Sequence, residues 1–336
     1  MTGWNHEGHR QKLGGNFPDR PGKSLLAWLG NKEEFARVIM RWIGMTVAVA
    51  AGTALAGCAT SQPMPERRAQ PMVAASPKDV EMVWPVGAPE VHARHAILID
   101  ARTGRTLYQK FADSPAQVAS TQKLVTALLM VERGDLDQKF VITRADCAVE
   151  PTKLGFRAGQ SYSRRALLTA MMVKSENDAA AALARDHSGS LSAFAQEMNR
   201  KAWELGARNS HFLNPHGLPA AQYSTARDMA RIAYQAYREP DLRRMMRLPS
   251  LTFVFSNGRT KHLDATNKLL KRSPIYNGMK TGYTFAAGRC LISSASFGGR
   301  DVILVQLGSK TSYIFNDAER LMAWGLSRLG SSLASN

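Results

Sequence analysis

The 336-residue chain is 44% hydrophobic and 21% charged, a composition that excludes a mostly disordered chain and predicts one or two folded domains. It carries 44 Lys and Arg residues against 27 Asp and Glu residues, so its formal net charge is +17, and such a basic surface attracts polyanions of any kind. No run of five like charges, zinc-ligand spacing or RNA-binding aromatic signature favours nucleic acid among them.

An export signal is predicted near the start of the chain. Residues 42–57 form an uncharged stretch that follows two basic residues, Arg37 and Arg41. The stretch is too short to span a bilayer comfortably, and its basic flank and small-residue end are typical of a signal peptide; the alternative interpretation is a buried core helix. We therefore expect residues 1–57 to be a signal peptide region, with Met40 as a candidate translation start because such peptides normally begin near the N-terminus.

The uncharged stretch ends in Leu55-Ala56-Gly57-Cys58, which resembles the lipobox of bacterial lipoproteins. The resemblance implies that Cys58 carries a lipid and holds the protein to a membrane on the periplasmic side of the cell envelope. Ala59, directly after the cysteine, implies by the same analogy that the protein is delivered to the outer membrane.

A flexible connection is predicted after the lipidation site. Residues 58–91 contain six of the fifteen prolines and little periodic apolar pattern, so we expect a lipidated N-terminus followed by a proline-rich tether that reaches roughly 100 Å at most. Beyond the tether, Cys147 and Cys290 remain. We predict two unpaired, mostly buried thiols, and a disulfide is the alternative in an oxidising compartment.

Residues 92–330 have the pattern of a folded domain. Two β-rich runs, residues 96–100 and 106–108, flank a turn signal and predict a hairpin, and helical apolar spacing predicts a helix over residues 120–132. The further predicted helices cover residues 164–172, 179–185, 191–205, 226–237 and 315–329, and the further predicted strands cover residues 251–255, 279–284, 289–296 and 301–307. Strands at both ends with helices between them predict an α+β fold: an antiparallel sheet flanked by helices, with an inserted all-helical subdomain.

The first motif with catalytic potential places Ser120 and Lys123 at the start of a predicted helix. Residues three apart share a helix face, so the amine can reach the hydroxyl. The helix N-terminus and burial both favour a neutral amine, and a neutral amine can activate serine, which is otherwise a weak nucleophile. The alternative is an ordinary N-cap serine followed by a solvated lysine.

Two further motifs follow along the chain. Residues 175–177 read Ser-Glu-Asn at the start of another predicted helix, and residues 280–282 read Lys-Thr-Gly beside a predicted strand pair. Separately, the first fits a variant capping box and the second a surface turn. Ser-x-x-Lys, Ser-x-Asn and Lys-Thr-Gly each occur once and in that order, so chance explains the set poorly.

With these three motifs, the sequence resembles the low-molecular-mass penicillin-binding D-Ala-D-Ala carboxypeptidases, and more loosely the serine β-lactamases of the same fold. The resemblance covers residues 95–325 and includes the segment Asn-Pro-His-Gly-Leu at residues 214–218. It implies a β-lactamase/transpeptidase-like fold and a serine peptidase that removes the terminal D-alanine from peptidoglycan stem peptides through an acyl-enzyme. It also implies that β-lactam antibiotics inhibit the protein covalently.

The resemblance assigns three catalytic residues. Ser120 would attack the carbonyl between the two D-alanines, and Lys123 would take the serine proton. Ser175 would relay a proton to the departing amine, because an unprotonated amine is a poor leaving group.

The resemblance also assigns the residues that bind substrate. Asn177 would hold the substrate's amide, and Lys280 with Thr281 would bind the terminal carboxylate. Gly282 would let the substrate backbone approach closely. The backbone amides of Tyr283 and of the nucleophilic serine would form the oxyanion hole.

Several alternatives stay open from sequence. A D,D-endopeptidase would share all three motifs. A class A β-lactamase is disfavoured, because the catalytic glutamate loop of that class would fall near residues 209–214, which contain no glutamate. A non-catalytic peptidoglycan-binding lipoprotein is the third alternative. No metal or other cofactor is expected, since the eight histidines lack ligand spacing. His216 is expected to form structural hydrogen bonds, and Glu176, where many relatives carry glycine, is expected beside the cleft.

Overall fold

The computed structural model describes residues 87–331. The signal peptide region, the lipidation of Cys58 and most of the predicted tether lie outside the described residues. Within the described range, no helix combines the length and the apolar character needed to cross a membrane.

A five-stranded antiparallel sheet forms the centre of this region. Its strands are β1 (His95–Asp100), β2 (Thr106–Lys110), β7 (Tyr276–Thr284), β8 (Gly288–Phe297) and β9 (Arg300–Ser309). They lie in the order β2-β1-β9-β8-β7, so the first strand pairs with the last and β7 lies at an edge. Two smaller antiparallel pairs are β3 (Lys139–Val141) with β4 (Ser161–Ser163), and β5 (Ser250–Val254) with β6 (Thr260–Asp264).

The helices of the described residues fall into a block before the last three strands and one helix after them. They are α1 (Lys123–Arg133), α2 (Arg144–Cys147), α3 (Arg164–Lys174), α4 (Asn177–Ser188), α5 (Leu191–Glu204), α6 (Ala226–Arg238), α7 (Pro240–Met246) and α8 (Ile314–Ser331). Short 3-10 turns cover Ala119–Gln122 and Lys268–Lys271. Hydroxyl side chains cap several helices; Ser163, for example, accepts a hydrogen bond from the Ala166 amide at the start of α3.

The central sheet separates two apolar cores. Successive residues of a strand point to opposite faces: in β1, Ile97 and Ile99 join the core shared with the helical block, whereas Leu98 joins the core covered by α8. In β9, Ile303 and Leu304 divide in the same way. Because fully burying one such side chain stabilises by about 1.5–3 kcal/mol, the sheet is firmly held on both faces and β7 has a fixed position.

The structure confirms the predicted antiparallel sheet, flanking helices and inserted helical block. A tight turn joins β8 to β9: Gly298 and Gly299 both have positive φ, as a type I′ hairpin turn requires. The helical block additionally contains the β3–β4 pair, whose three-residue strands are too short to give an alternating pattern. Cys147 and Cys290 are unpaired as predicted, and Cys290 is buried whereas Cys147 is only partly so.

Candidate active site

Ser120 lies in the 3-10 turn that leads into α1, and its backbone is closely surrounded. Ala119 has a φ of 48°, an uncommon conformation for a residue with a side chain. A Cβ atom on Gly217 would collide with the Ala119 carbonyl, and one on Gly282 would lie 2.8 Å from the Ser120 nitrogen. Glycine at both positions therefore lets a loop and strand β7 approach the backbone of Ser120.

The Lys123 amine lies directly beside the Ser120 hydroxyl. The distance from Lys123 Nζ to Ser120 Oγ is 2.9 Å, and the amine also contacts Asn177 Oδ1 at 2.7 Å and the His216 carbonyl oxygen at 2.6 Å. The Ser120 hydroxyl donates to the same His216 carbonyl at 3.0 Å. The predicted proximity of hydroxyl and amine is therefore present, and two further groups hold the amine in place.

Burial makes Lys123 a candidate base. Its side chain is fully buried, and this burial, followed by the nearby charge of Lys280, holds the pKa of the amine well below its ordinary value, while Glu176 and Asp178 act in the opposite direction. A neutral amine has a lone pair that can accept the Ser120 proton.

The Ser-x-Asn motif lies at the junction of α3 and α4. Ser175 ends α3 in a left-handed conformation, with a φ of 71°. Asn177 begins α4; its backbone amide donates to the Thr152 carbonyl at 2.8 Å, and its side-chain amide donates to the Pro151 carbonyl. Both ends of the Asn177 side chain are thus engaged, one by Lys123 and one by the loop around residue 151.

Strand β7 brings the third motif to the same place. Ser120, Ser175, Thr281 and Tyr283 all line a cleft of about 530 Å³. The Thr281 hydroxyl donates to Thr266 Oγ1 at 2.6 Å, within the wall of this cleft. The three motifs, far apart in sequence, therefore form one site.

Lys280 lies beneath the cleft surface. It is 1% exposed, and its ammonium group donates to the Thr281 carbonyl at 2.9 Å. Burial lowers the pKa of Lys280 to about 7. Lys280 is therefore a buried amine behind the cleft wall, and its charged form lowers the pKa of Lys123.

Sequence reasoning missed most of the residues that support the motifs. Gln122 is buried and donates to the Asn214 carbonyl at 2.5 Å and to Gln222 Oε1 at 3.1 Å, which fixes the loop after α5 against the turn that carries Ser120. Asp178 accepts hydrogen bonds from the amides of Leu154 and Gly155, each at 3.0 Å. No local sequence pattern specifies such long-range polar contacts.

His216 contributes mainly through its backbone carbonyl. That carbonyl accepts from both Ser120 and Lys123, while its ring Nδ1 accepts from the Leu218 amide at 3.3 Å. Burial, and secondarily Lys123, lowers the pKa of His216 to about 3. These contacts agree with the structural role expected from the sequence.

Glu176 is buried rather than open to the cleft. Its side chain is 2% exposed, its Oε1 lies 3.8 Å from Lys261 Nζ, and its Oε2 has no hydrogen-bond partner among the described residues. Burial raises the pKa of Glu176 to about 7, with Lys261 opposing and Asp178 adding to the increase. Glu176 follows Ser175, which lines the cleft, and its side chain packs inward beside Lys261.

The fold and the Ser–Lys pair together define a serine hydrolase of the penicillin-binding type. A family model described as D-alanyl-D-alanine carboxypeptidase matches residues 82–311. The chain is 32% identical over 244 residues to the D-alanyl-D-alanine endopeptidase of Escherichia coli K12, which covers 70% of this chain and 78% of that relative. It is 33% identical over 256 residues to the D-alanyl-D-alanine carboxypeptidase DacB2 of Mycobacterium tuberculosis, covering 74% and 87% respectively.

Solved structures give the same result. The D-alanyl-D-alanine carboxypeptidase from Mycobacterium tuberculosis H37Rv superposes with a TM-score of 0.69 at 31% identity, covering 74% of this chain and 96% of that chain. The Streptomyces K15 DD-transpeptidase superposes with a TM-score of 0.68 at 30% identity, covering 72% and 100%. The chain belongs to the D-alanyl-D-alanine carboxypeptidase family, and its transpeptidase-like fold confirms the sequence-based prediction.

Proposed function

We propose that the protein is a serine D-Ala-D-Ala carboxypeptidase that removes the terminal D-alanine from peptidoglycan stem peptides. The observation that carries the proposal is the 2.9 Å contact between a fully buried Lys123 amine and the Ser120 hydroxyl, at a cleft that also contains the other two motifs. Family membership supports the same activity.

The reaction proceeds through an acyl-enzyme. Ser120 Oγ attacks the carbonyl carbon between the two D-alanines, and its proton passes to Lys123 Nζ. The tetrahedral intermediate collapses with cleavage of the C–N bond, while the Ser175 hydroxyl donates a proton to the departing D-alanine amine and is reprotonated from Lys123. Water then hydrolyses the Ser120 ester and releases the shortened peptide.

The substrate is held by strand β7 and by the start of α1. The Thr281 hydroxyl, which donates to Thr266 in the free protein, turns to donate to the terminal carboxylate, and the charged form of Lys280 strengthens this attraction from behind the cleft wall. The backbone amides of Ser120 and Tyr283 form the oxyanion hole. Gly282, whose missing Cβ lets β7 approach the Ser120 nitrogen, keeps these two amides close together.

Asn177 has a positioning role in this proposal. Its Oδ1 contacts Lys123 and its Nδ2 donates to the Pro151 carbonyl, so the side chain orients the catalytic amine. It contacts the substrate's amide, as the family resemblance implies, only when the Pro151 contact is released.

Two substrates separate the carboxypeptidase from the endopeptidase, a second candidate that the similarity to the E. coli enzyme favours. Purified full-length protein is incubated with a stem pentapeptide and, separately, with a crosslinked stem-peptide dimer, and the products are weighed by mass spectrometry. We expect loss of one alanine from the pentapeptide, and no loss with Ser120→Ala. Cleavage of the dimer alone would assign the chain to the endopeptidases, and an active Ser120→Ala variant would refute the serine mechanism.

We propose that the enzyme works in the cell envelope, on the periplasmic side, anchored by a lipid on Cys58 and linked by the tether of residues 58–91 to the peptidase domain of residues 92–330. The family's cell-wall substrates support an extracytoplasmic location, and the lipobox-like Leu-Ala-Gly-Cys supports the anchor. Outer-membrane delivery rests on Ala59. Its partners are peptidoglycan stem peptides and, as covalent inhibitors, β-lactams.

Fractionation of cells that express wild type or Cys58→Ala tests the anchor. We expect wild type in the outer-membrane fraction and the variant in the soluble periplasmic fraction, because a lipid is needed to hold this domain at the bilayer. Cys290→Ala serves as the matched control and should fractionate like wild type. A membrane fraction unchanged by Cys58→Ala would exclude lipidation at this cysteine.

A further inference from the structure

A second cavity, of about 620 Å³, lies at the other end of the central sheet from the catalytic cleft. It is formed by the β1–β2 turn, the β8–β9 turn and residues of α6 and α7. Along β8, the chain runs from Arg289 in the catalytic cleft to Phe297 beside this cavity, a separation of roughly 27 Å at 3.4 Å per residue. The two sites have no lining residue in common.

Arginine dominates the lining of this second cavity, which we call the arginine cavity. The arginines that line it are Arg102, Arg105, Arg238, Arg243 and Arg300. Among the described residues, none of these five forms an ion pair with a carboxylate, whereas ten other arginines do. Guanidinium groups gathered without carboxylate partners are expected to attract an anion from solution.

The two aspartates of the cavity do not neutralise the arginines. Asp100 accepts hydrogen bonds from the Arg102 backbone amide at 2.8 Å and from the Thr103 hydroxyl at 2.7 Å, so its carboxylate stabilises the β1–β2 turn. Asp301 is the second aspartate. Five arginines and two aspartates leave an excess of three positive charges around the cavity.

Three of the arginines are already held in place. The Arg243 guanidinium lies 4.4 Å from the ring centre of Tyr237 and donates to its hydroxyl at 3.3 Å. Arg238 donates to the Tyr234 hydroxyl at 3.1 Å. Arg300 donates to a backbone carbonyl of α8 at 3.1 Å, and its Nε is buried with no hydrogen-bond partner among the described residues. Arginines fixed in this way lose less side-chain entropy when they bind an anion.

We propose that the arginine cavity binds an anion that carries clustered phosphate groups. Arginine recognises phosphate with paired, charge-assisted hydrogen bonds. A cavity of this volume holds more than one phosphate, and clustered phosphates supply the several negative charges that an excess of three positive charges calls for. The same chemistry is available from a soluble oligophosphate and from a phospholipid headgroup, two sources that experiment can separate.

Titration calorimetry of the full-length protein with tripolyphosphate tests the proposal. The double variant Arg102→Gln/Arg105→Gln changes two exposed residues of a surface turn, so it is expected to fold. We expect it to weaken binding by at least about tenfold, since hydrogen bonds to charged groups are among the strongest in proteins. The matched control, Arg144→Gln/Arg157→Gln, removes the same charge from exposed arginines outside the cavity and should change affinity less than about twofold.

Two further measurements test the chemistry of the ligand and identify its source. Citrate, with carboxylates in place of phosphates, should bind at least about tenfold more weakly. Sedimentation with phosphatidylcholine vesicles, with or without phosphatidic acid, then shows whether a headgroup or a free phosphate is bound.

Absence of binding to both tripolyphosphate and acidic vesicles, equal losses in both double variants, or equal affinity for citrate would overturn the proposal. Pentapeptide hydrolysis by the same double variants should equal that of wild type, so the result does not depend on the proposed peptidase activity.

Discussion

At the scale of single residues, the site depends on the charge state of one buried amine. Lys123 must be neutral to accept the Ser120 proton, and burial together with the charge of Lys280 favours that form. Glu176 and Asp178 favour the charged form. In the proposed mechanism, the rate of acylation at a given pH therefore depends on a balance among these buried charges.

Glu176 gives this balance a testable pH dependence. Its carboxyl ionises with a pKa of about 7, well above its ordinary value of 4.5, and Lys261, Asp178, Lys174 and Lys123 are the charged groups that act on it. Glu176→Gln removes a negative charge that raises the pKa of Lys123, so Lys123 should stay neutral to lower pH. We expect the acid limb of the kcat/KM profile for pentapeptide hydrolysis to move to lower pH in this variant.

The same substitution should change how stability depends on pH. In the wild type, Glu176 ionises near pH 4.5 when unfolded but near pH 7 when folded, so the free energy of unfolding falls as pH rises across this window. The variant lacks this loss, and its Tm relative to wild type should increase from about pH 4.5 to about pH 7. Glu132→Gln, which removes an exposed carboxylate paired with Lys201, is the control and should show no such trend. Parallel Tm profiles for Glu176→Gln and wild type would contradict the assignment.

At the scale of elements, the site is built by close backbone approach. The 3-10 turn with Ser120 lies against β7 at Gly282 and against the loop after α5 at Gly217, and neither position has space for a Cβ atom. A second loop, residues 151–155, is attached to the start of α4 by hydrogen bonds to Asn177 and Asp178. Asn177 and Asp178, at the N-terminus of α4, therefore fix both the Lys123 amine and one wall of the cleft.

The sequence predicted elements better than their contacts. Helical and strand periodicity located most helices and the sheet strands because these patterns depend on local spacing. The Ser120–Lys123 contact was predictable for the same reason, since a spacing of three residues at the start of a helix places both side chains on one face. The buried position of Lys280, the inward orientation of Glu176 and the His216 carbonyl contact depend on tertiary packing of distant segments, which no local pattern specifies. Sequence order alone nevertheless indicated that the three motifs belong to one site.

At the scale of the whole molecule, two separate cavities lie at opposite ends of the central sheet. One end of β8 borders the catalytic cleft and the other borders the arginine cavity, and the apolar cores on both faces hold the strands between them. The basic residues behind the net charge of +14, which remains after residues 1–57 are set aside, are thus unevenly distributed. Five of the arginines surround the second cavity, whereas burial holds the pKa values of Lys123 and Lys280 at the first site below their ordinary values.

Covalent labelling of the full-length protein with penicillin tests the central claim, that Ser120 becomes a nucleophile through the Lys123 amine. The adduct is located by mass spectrometry of proteolytic peptides, and the labelling rate is measured for each variant. We predict a single adduct on Ser120, no labelling of Ser120→Ala, and labelling of Lys123→Met slowed by at least about 100-fold, as expected for loss of a general base. An adduct on another residue, undiminished labelling of Ser120→Ala, or a wild-type rate in Lys123→Met would contradict the account.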